Sequence, residues 1–96
     1  MDFQVRITQA ALGDFEEILE YSWINFPDAA ERFGNAILNH IDLLKRFPFI
    51  GSPVTHHPGV RRLVHTPILI YYRVNENPNF VEILHFRRSS RSRRQF

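Results

Sequence analysis

The sequence predicts an α+β domain, in which a short N-terminal strand and an antiparallel helical hairpin pack on a mainly antiparallel β-sheet. Three observations carry this. Residues 60–65, 68–74 and 80–88 are rich in Val, Ile, Tyr and Phe and are separated by Thr66-Pro67 and by the polar stretch 75–79, so they read as consecutive strands. Two stretches before them repeat apolar residues every three or four positions, the period of a helix with one buried face. The link between those stretches, Phe26-Pro27, is so short that the two helices must turn back on each other.

A chain of 96 residues makes one domain, spanning 1–96, and a second would have no core. With 44% hydrophobic residues and 14% aromatics, the composition is that of a packed protein and not of a disordered one. There is no cysteine, which excludes disulfides and thiolate metal sites. No apolar run approaches the roughly 20 residues of a membrane helix. The first residues lack the pattern of a signal peptide, so the expected location is the cytoplasm.

Charge is unevenly placed. Residues 1–46 carry four Lys/Arg against eight Asp/Glu, whereas residues 47–96 carry eight Arg against two Glu. An acidic half followed by a basic half suits a partner with a negative surface, whether nucleic acid or an acidic protein segment.

Along the chain, residues 3–7 alternate apolar and polar side chains and predict a strand that joins the main sheet. Thr8 is placed to cap a helix that ends before Pro27, with Ala11, Leu12, Phe15, Ile18, Leu19, Ser22, Trp23 and Phe26 recurring along it. Phe15 and Trp23 read as core. Asp28-Ala-Ala-Glu31 fits a capping box for a second helix, whose apolar stripe is Ala30, Phe33, Ile37, Ile41 and Leu44. Two prolines and a glycine in residues 47–53 end that helix, with Phe47 and Phe49 expected to plug the base of the core. Residues 89–96 hold three arginines and little apolar surface, a composition expected to stay unordered until something binds it.

These pieces in this order resemble the RelE/ParE superfamily of bacterial toxins from type II toxin-antitoxin systems, and the ParE branch most. The resemblance lies in Ala11-Leu-Gly-Asp14 with Ile18-Leu-Glu-Tyr21, in Ala29-Ala-Glu-Arg-Phe33, and in Phe47-Pro-Phe-Ile-Gly-Ser-Pro53. It continues through Gly59-Val-Arg-Arg-Leu63, Ile70-Tyr-Tyr-Arg-Val74 and Val81-Glu-Ile-Leu-His85, followed by Arg87 and Arg88. It implies a plasmid-stabilisation type toxin neutralised by a ParD-like antitoxin. It also implies one of two targets: DNA gyrase, trapped on cleaved DNA by ParE-like toxins, or messenger RNA, cut on the ribosome by RelE-like ones. A domain that has kept the fold and the antitoxin but lost toxicity is a third possibility. Fold alone does not choose among them.

Cutting RNA requires positioned cations and an acid-base pair, for which the candidates are Arg61, Arg73, His85 and Arg87. Leu69 stands where RelE-like enzymes commonly carry an arginine, and the tail lacks the tyrosine they often use, so the ParE-like reading is preferred. Its target-binding residues are Arg87, Arg88, Arg91, Arg93 and Arg94, since guanidinium groups grip phosphates and carboxylates in bidentate fashion. Strand alternation puts Ile68, Ile70, Tyr72 and Val74 toward the helices. It puts Leu69, Tyr71, Arg73, Leu84 and Phe86 on the opposite, uncovered face, the expected antitoxin surface. His56 and His57 have no carboxylate or cysteine at a ligand spacing, and neither a metal nor another cofactor is expected.

Overall fold

The computed structural model describes residues 2–89. Its first strand, β1 (Gln4–Ile7), runs parallel to the last, β5 (Asn79–Arg88), with Gln4 opposite Phe80 and Ile7 opposite Ile83. Thr8 ends the pairing and starts a helix in one step. Its N–H and hydroxyl both donate to the Ile83 carbonyl, at 3.1 and 2.8 Å, while its side-chain oxygen accepts the Ala11 N–H at 3.1 Å. Such a cap contributes about 1 kcal/mol and fixes where α1 (Gln9–Asn25) leaves the sheet.

Helix α1 buries Ala11, Phe15, Ile18 and Ser22, a narrower stripe than the sequence suggested. Leu12, Trp23 and Phe26 are about half exposed or more, so the core reading of Trp23 does not hold. Leu12 and Trp23 lie on the flank of the helix away from its buried stripe, and Phe26 is the cap residue between the two helices. Leu19 packs instead against α2 (Pro27–Asp42), where a β-carbon on Gly34 would come within 2.8 Å of it.

The expected capping box is absent. The N-cap of α2 lies two residues earlier, at Phe26, with Pro27 in the first turn, and no side chain caps it. Proline's fixed φ is already helical and its missing N–H needs no partner at that position. Asp28 therefore sits inside the first turn, where its charge still favours the helix dipole. The predicted stripe is otherwise present, with Ala30, Ile37, Ile41 and Leu44 buried and Phe33 packed beside them.

After a single 3-10 turn at Leu43–Lys45 the chain forms the two-residue β2 (Ser52–Pro53), β3 (Val60–His65) and β4 (Ile68–Glu76). The five strands are ordered β1-β5-β4-β3-β2, antiparallel except for β1 with β5. Phe47 and Phe49 do not plug the core. Both are about half exposed, and Pro48 between them is the buried residue. The base is closed by Tyr72, fully buried, whose hydroxyl oxygen accepts the Gly51 N–H at 2.8 Å. Gly51 approaches so closely that a β-carbon there would meet both the Arg62 carbonyl and the Tyr72 hydroxyl at 2.7 Å.

The helices cover one face of the sheet over Ile68, Ile70, Tyr72, Val81, Ile83 and Phe86, with Phe15 and Phe86 stacked at a centroid distance of 5.2 Å. Among the described residues no helix is long and apolar enough to cross a membrane.

Candidate functional site

Residues paired across neighbouring strands share a face. On the face away from the helices the register therefore sets Val60 beside Arg73, Arg62 beside Tyr71, Val64 beside Leu69, and Arg6 beside Glu82. The alternation expected for β5 breaks in the middle. Tyr71 pairs with His85 whereas the next residue, Tyr72, pairs with Ile83, so Leu84 is the extra residue of a β-bulge.

The bulge re-phases the strand. Phe86, expected among the uncovered residues, turns into the core and is 2% exposed. Leu84 and His85 become consecutive residues at the outer margin, both half-buried. Together with Val54, His57, Val60, Tyr71 and Arg87 they line an open groove of about 330 Å³.

One carboxylate organises this end of β5. Because β1 stops opposite Ile83, the edge of β5 beyond it lacks a neighbouring strand. Asp14, in the second turn of α1, supplies the missing acceptor: its Oδ2 takes the Phe86 N–H at 3.1 Å, His85 Nδ1 at 2.9 Å and Arg87 Nη1 at 3.2 Å. A carboxylate facing Nδ1 requires a proton on that nitrogen, which leaves Nε2 as the other functional atom of His85. From the sequence, Asp14 stands out only as the end of the motif Ala11-Leu-Gly-Asp14. The signal that marks it is its place beside the buried stripe, between Ala11 and Phe15.

The candidate residues do not all converge. Arg61 shares the helix-side face with its register partner Tyr72, and its Nη1 donates to the carbonyls of Gly51 at 2.6 Å and Phe49 at 3.2 Å. Its guanidinium also lies over the Phe49 ring. It is a brace for the loop before β2, on the wrong face to act with His85. Arg73 is exposed on the outer face in register with Val60, and Arg87 reaches the groove. Arg88 points the other way and lies over the Tyr21 ring, at the rim of a small apolar pocket between the helices and Pro67. Arg91, Arg93 and Arg94 lie outside the described residues.

Burial raises the Tyr72 pKa above its ordinary value, against the smaller opposing effects of the Gly51 N–H and Arg61. His40 on α2 and His65 at the end of β3 are hydrogen-bonded to each other, Nδ1 to Nδ1 at 2.8 Å. Burial first, and then His40, lowers the His65 pKa. Among the described residues no group of three or more His, Cys, Asp or Glu is placed to hold a metal ion.

A family model described as the ParE toxin of the type II toxin-antitoxin system parDE matches residues 5–93. The chain belongs to the ParE toxin family. Two solved structures share the fold of this ParE-family chain. One is from the chromosomal ParDE toxin-antitoxin system of P. aeruginosa, with a TM-score of 0.78 and 22% identity over 91% of this chain and 96% of that one. The other is from the toxin-antitoxin complex RelBE2 of Mycobacterium tuberculosis, with a TM-score of 0.71 and 21% identity over 92% and 99%. A search of curated proteins gave no match. The chain is thus a type II toxin of the RelE/ParE superfamily, with two helices on a five-stranded sheet.

Proposed function

We propose that this toxin acts in the cytoplasm as a ParE-like inhibitor of DNA gyrase in a plasmid-stabilisation type module, and that a ParD-like antitoxin silences it. The observation that carries this reading is the ParE family match along almost the whole chain. The target-binding residues are Arg87, Arg88, Arg91, Arg93 and Arg94, a run of guanidinium groups suited to the phosphates and carboxylates of a protein-DNA complex. Asp14 and Tyr21 hold the first two at the point where β5 ends.

The antitoxin surface in this reading is the outer face at Leu69, Tyr71, Arg73 and Leu84. Phe86, being in the core, is not part of it. The P. aeruginosa and M. tuberculosis neighbours both come from toxin-antitoxin systems, which supports an antitoxin partner here.

One observation favours a second reading, a ribosome-dependent messenger RNA endonuclease. His85 is oriented by a carboxylate, as a general base commonly is, and shares its groove with His57 and Arg87. Against this, Arg61 is committed to carbonyls on the other face, so the four candidates do not form one site.

The deciding experiment is supercoiling by purified gyrase with and without the protein, run beside a translation assay scored for cut messenger RNA. Accumulated cleaved-DNA complex with intact RNA is the expected result. Cut RNA with unaffected gyrase overturns it in favour of His85.

A further inference from the structure

The outer face of the sheet is one-sided in charge. Its side chains include Arg6, Arg62, Arg73 and Arg87 against Glu82, and Arg6, Arg62 and Arg73 form no ion pair among the described residues. Tyr71 stands among these cations, paired with Arg62 on one side and His85 on the other, with one side open to the groove. An aromatic ring set in a basic sheet surface is the arrangement on which unpaired bases stack while guanidinium groups follow the backbone.

We propose that this face binds single-stranded DNA, with a base stacked on Tyr71 in the groove and its flanking phosphates on Arg62 and Arg73. The strand must be single because a base reaches such a groove only when it is out of its pair. Val54, Val60 and Leu84 make the groove walls apolar, which suits a deoxyribose and the thymine methyl better than a hydroxylated ribose. An acidic peptide would satisfy the arginines but would leave the ring of Tyr71 without a matching flat partner. The inference does not depend on gyrase. It assigns the toxin a nucleic-acid contact of its own, separate from the arginines beyond Ser89.

The test is fluorescence anisotropy of a labelled dT15 oligonucleotide titrated with the full-length chain at several salt concentrations. Single-strand binding weakens with salt by about 0.7 log units per log unit for each phosphate neutralised. The Arg62→Ala, Arg73→Ala double variant should therefore lower the slope by about 1.4, the other arginines contributing equally to every variant. Both residues are exposed, so the fold is retained. Tyr71→Leu, which keeps an apolar side chain, should weaken binding about tenfold with the slope unchanged.

An unchanged slope in the double variant overturns the proposal. Tighter binding of rU15 than dT15, or binding of a polyglutamate peptide in place of the oligonucleotide, overturns it as well. If dT15 binds through these residues while gyrase is unaffected, the gyrase reading fails and this one stands.

Discussion

The carboxylate of Asp14 on the first helix lies 2.9 Å from the Nδ1 of His85 on the last strand, joining residues 71 positions apart. The same oxygen takes the Phe86 N–H and Arg87, so one side chain closes a strand edge and aims two basic groups. Asp14→Ala leaves three donors without their acceptor and should cost about 2 kcal/mol in urea unfolding, the usual range for a hydrogen-bonded charge that is mostly buried. Asp14→Asn keeps one carbonyl oxygen and should lose roughly half as much. A loss for the alanine variant no larger than for a surface substitution would mean that water replaces the clip at no cost.

The bulge at Leu84 makes a contrast between two neighbouring apolar residues. Phe86→Ala empties a core position stacked on Phe15 and should destabilise the fold by about 3–5 kcal/mol. Leu84→Ala trims a half-buried side chain at the groove and should cost about 1 kcal/mol. Strict alternation puts both on the outer face and predicts similar small losses. Thermal or denaturant unfolding of the two variants separates the two arrangements.

Much of the fold was legible because local pattern and tertiary packing agree. The stripe Ala30, Ile37, Ile41 and Leu44 repeats at helical spacing and meets the sheet with that face, and Thr8 caps its helix as its side chain and position predict. Strand β4 alternates without interruption from Ile68 to Tyr72, so its buried face could be read directly. What could not be read depends on two elements at once. A bulge is a mismatch between strands, and nothing in the residues 83–86 alone announces it. The Asp14 clip exists because β1 ends early, a fact about strand length and not about Asp14. Hydrophobicity assigns Trp23, Phe47 and Phe49 to the core, but Trp23 lies on the flank of α1 away from its buried stripe, and Pro48 and Tyr72 already fill the end where the two phenylalanines sit. His57 gave no sign of joining the groove until the loop was placed beside β5. Arg61 was grouped with Arg73 by charge, although the odd and even positions across their register put them on opposite faces.

Gly51 tests how tightly that end is closed. A β-carbon at this position meets a backbone carbonyl and a fully buried tyrosine hydroxyl at 2.7 Å, and neither can swing away as the tip of a flexible side chain would. Gly51→Ala should therefore destabilise by about 2 kcal/mol or more through displaced backbone. Tyr72→Phe removes the acceptor of the Gly51 N–H and should cost about 1–2 kcal/mol. In the double variant the losses should fall short of their sum, because both act on one contact. Full additivity in a double-mutant cycle would show that the glycine and the tyrosine are not coupled.

His65 confers a pH dependence whose sign follows from its burial and its contact with His40. Facing Nδ1 atoms 2.8 Å apart can share one proton between them, but a second proton sets two N–H groups against each other. Burial and His40 lower the His65 pKa from its ordinary 6.5, so the folded protein takes up that proton less readily than the unfolded chain does. Where the unfolded state binds more protons, stability rises with pH. The contribution of His65 is therefore full well above pH 6.5 and is lost as pH falls from there through the lowered folded value. His65→Gln, which cannot titrate, should narrow the gap between stability at neutral and mildly acidic pH. Unfolding midpoints in urea at a series of pH values check this, and parallel curves for the wild-type chain and the glutamine variant would sink the assignment to His65.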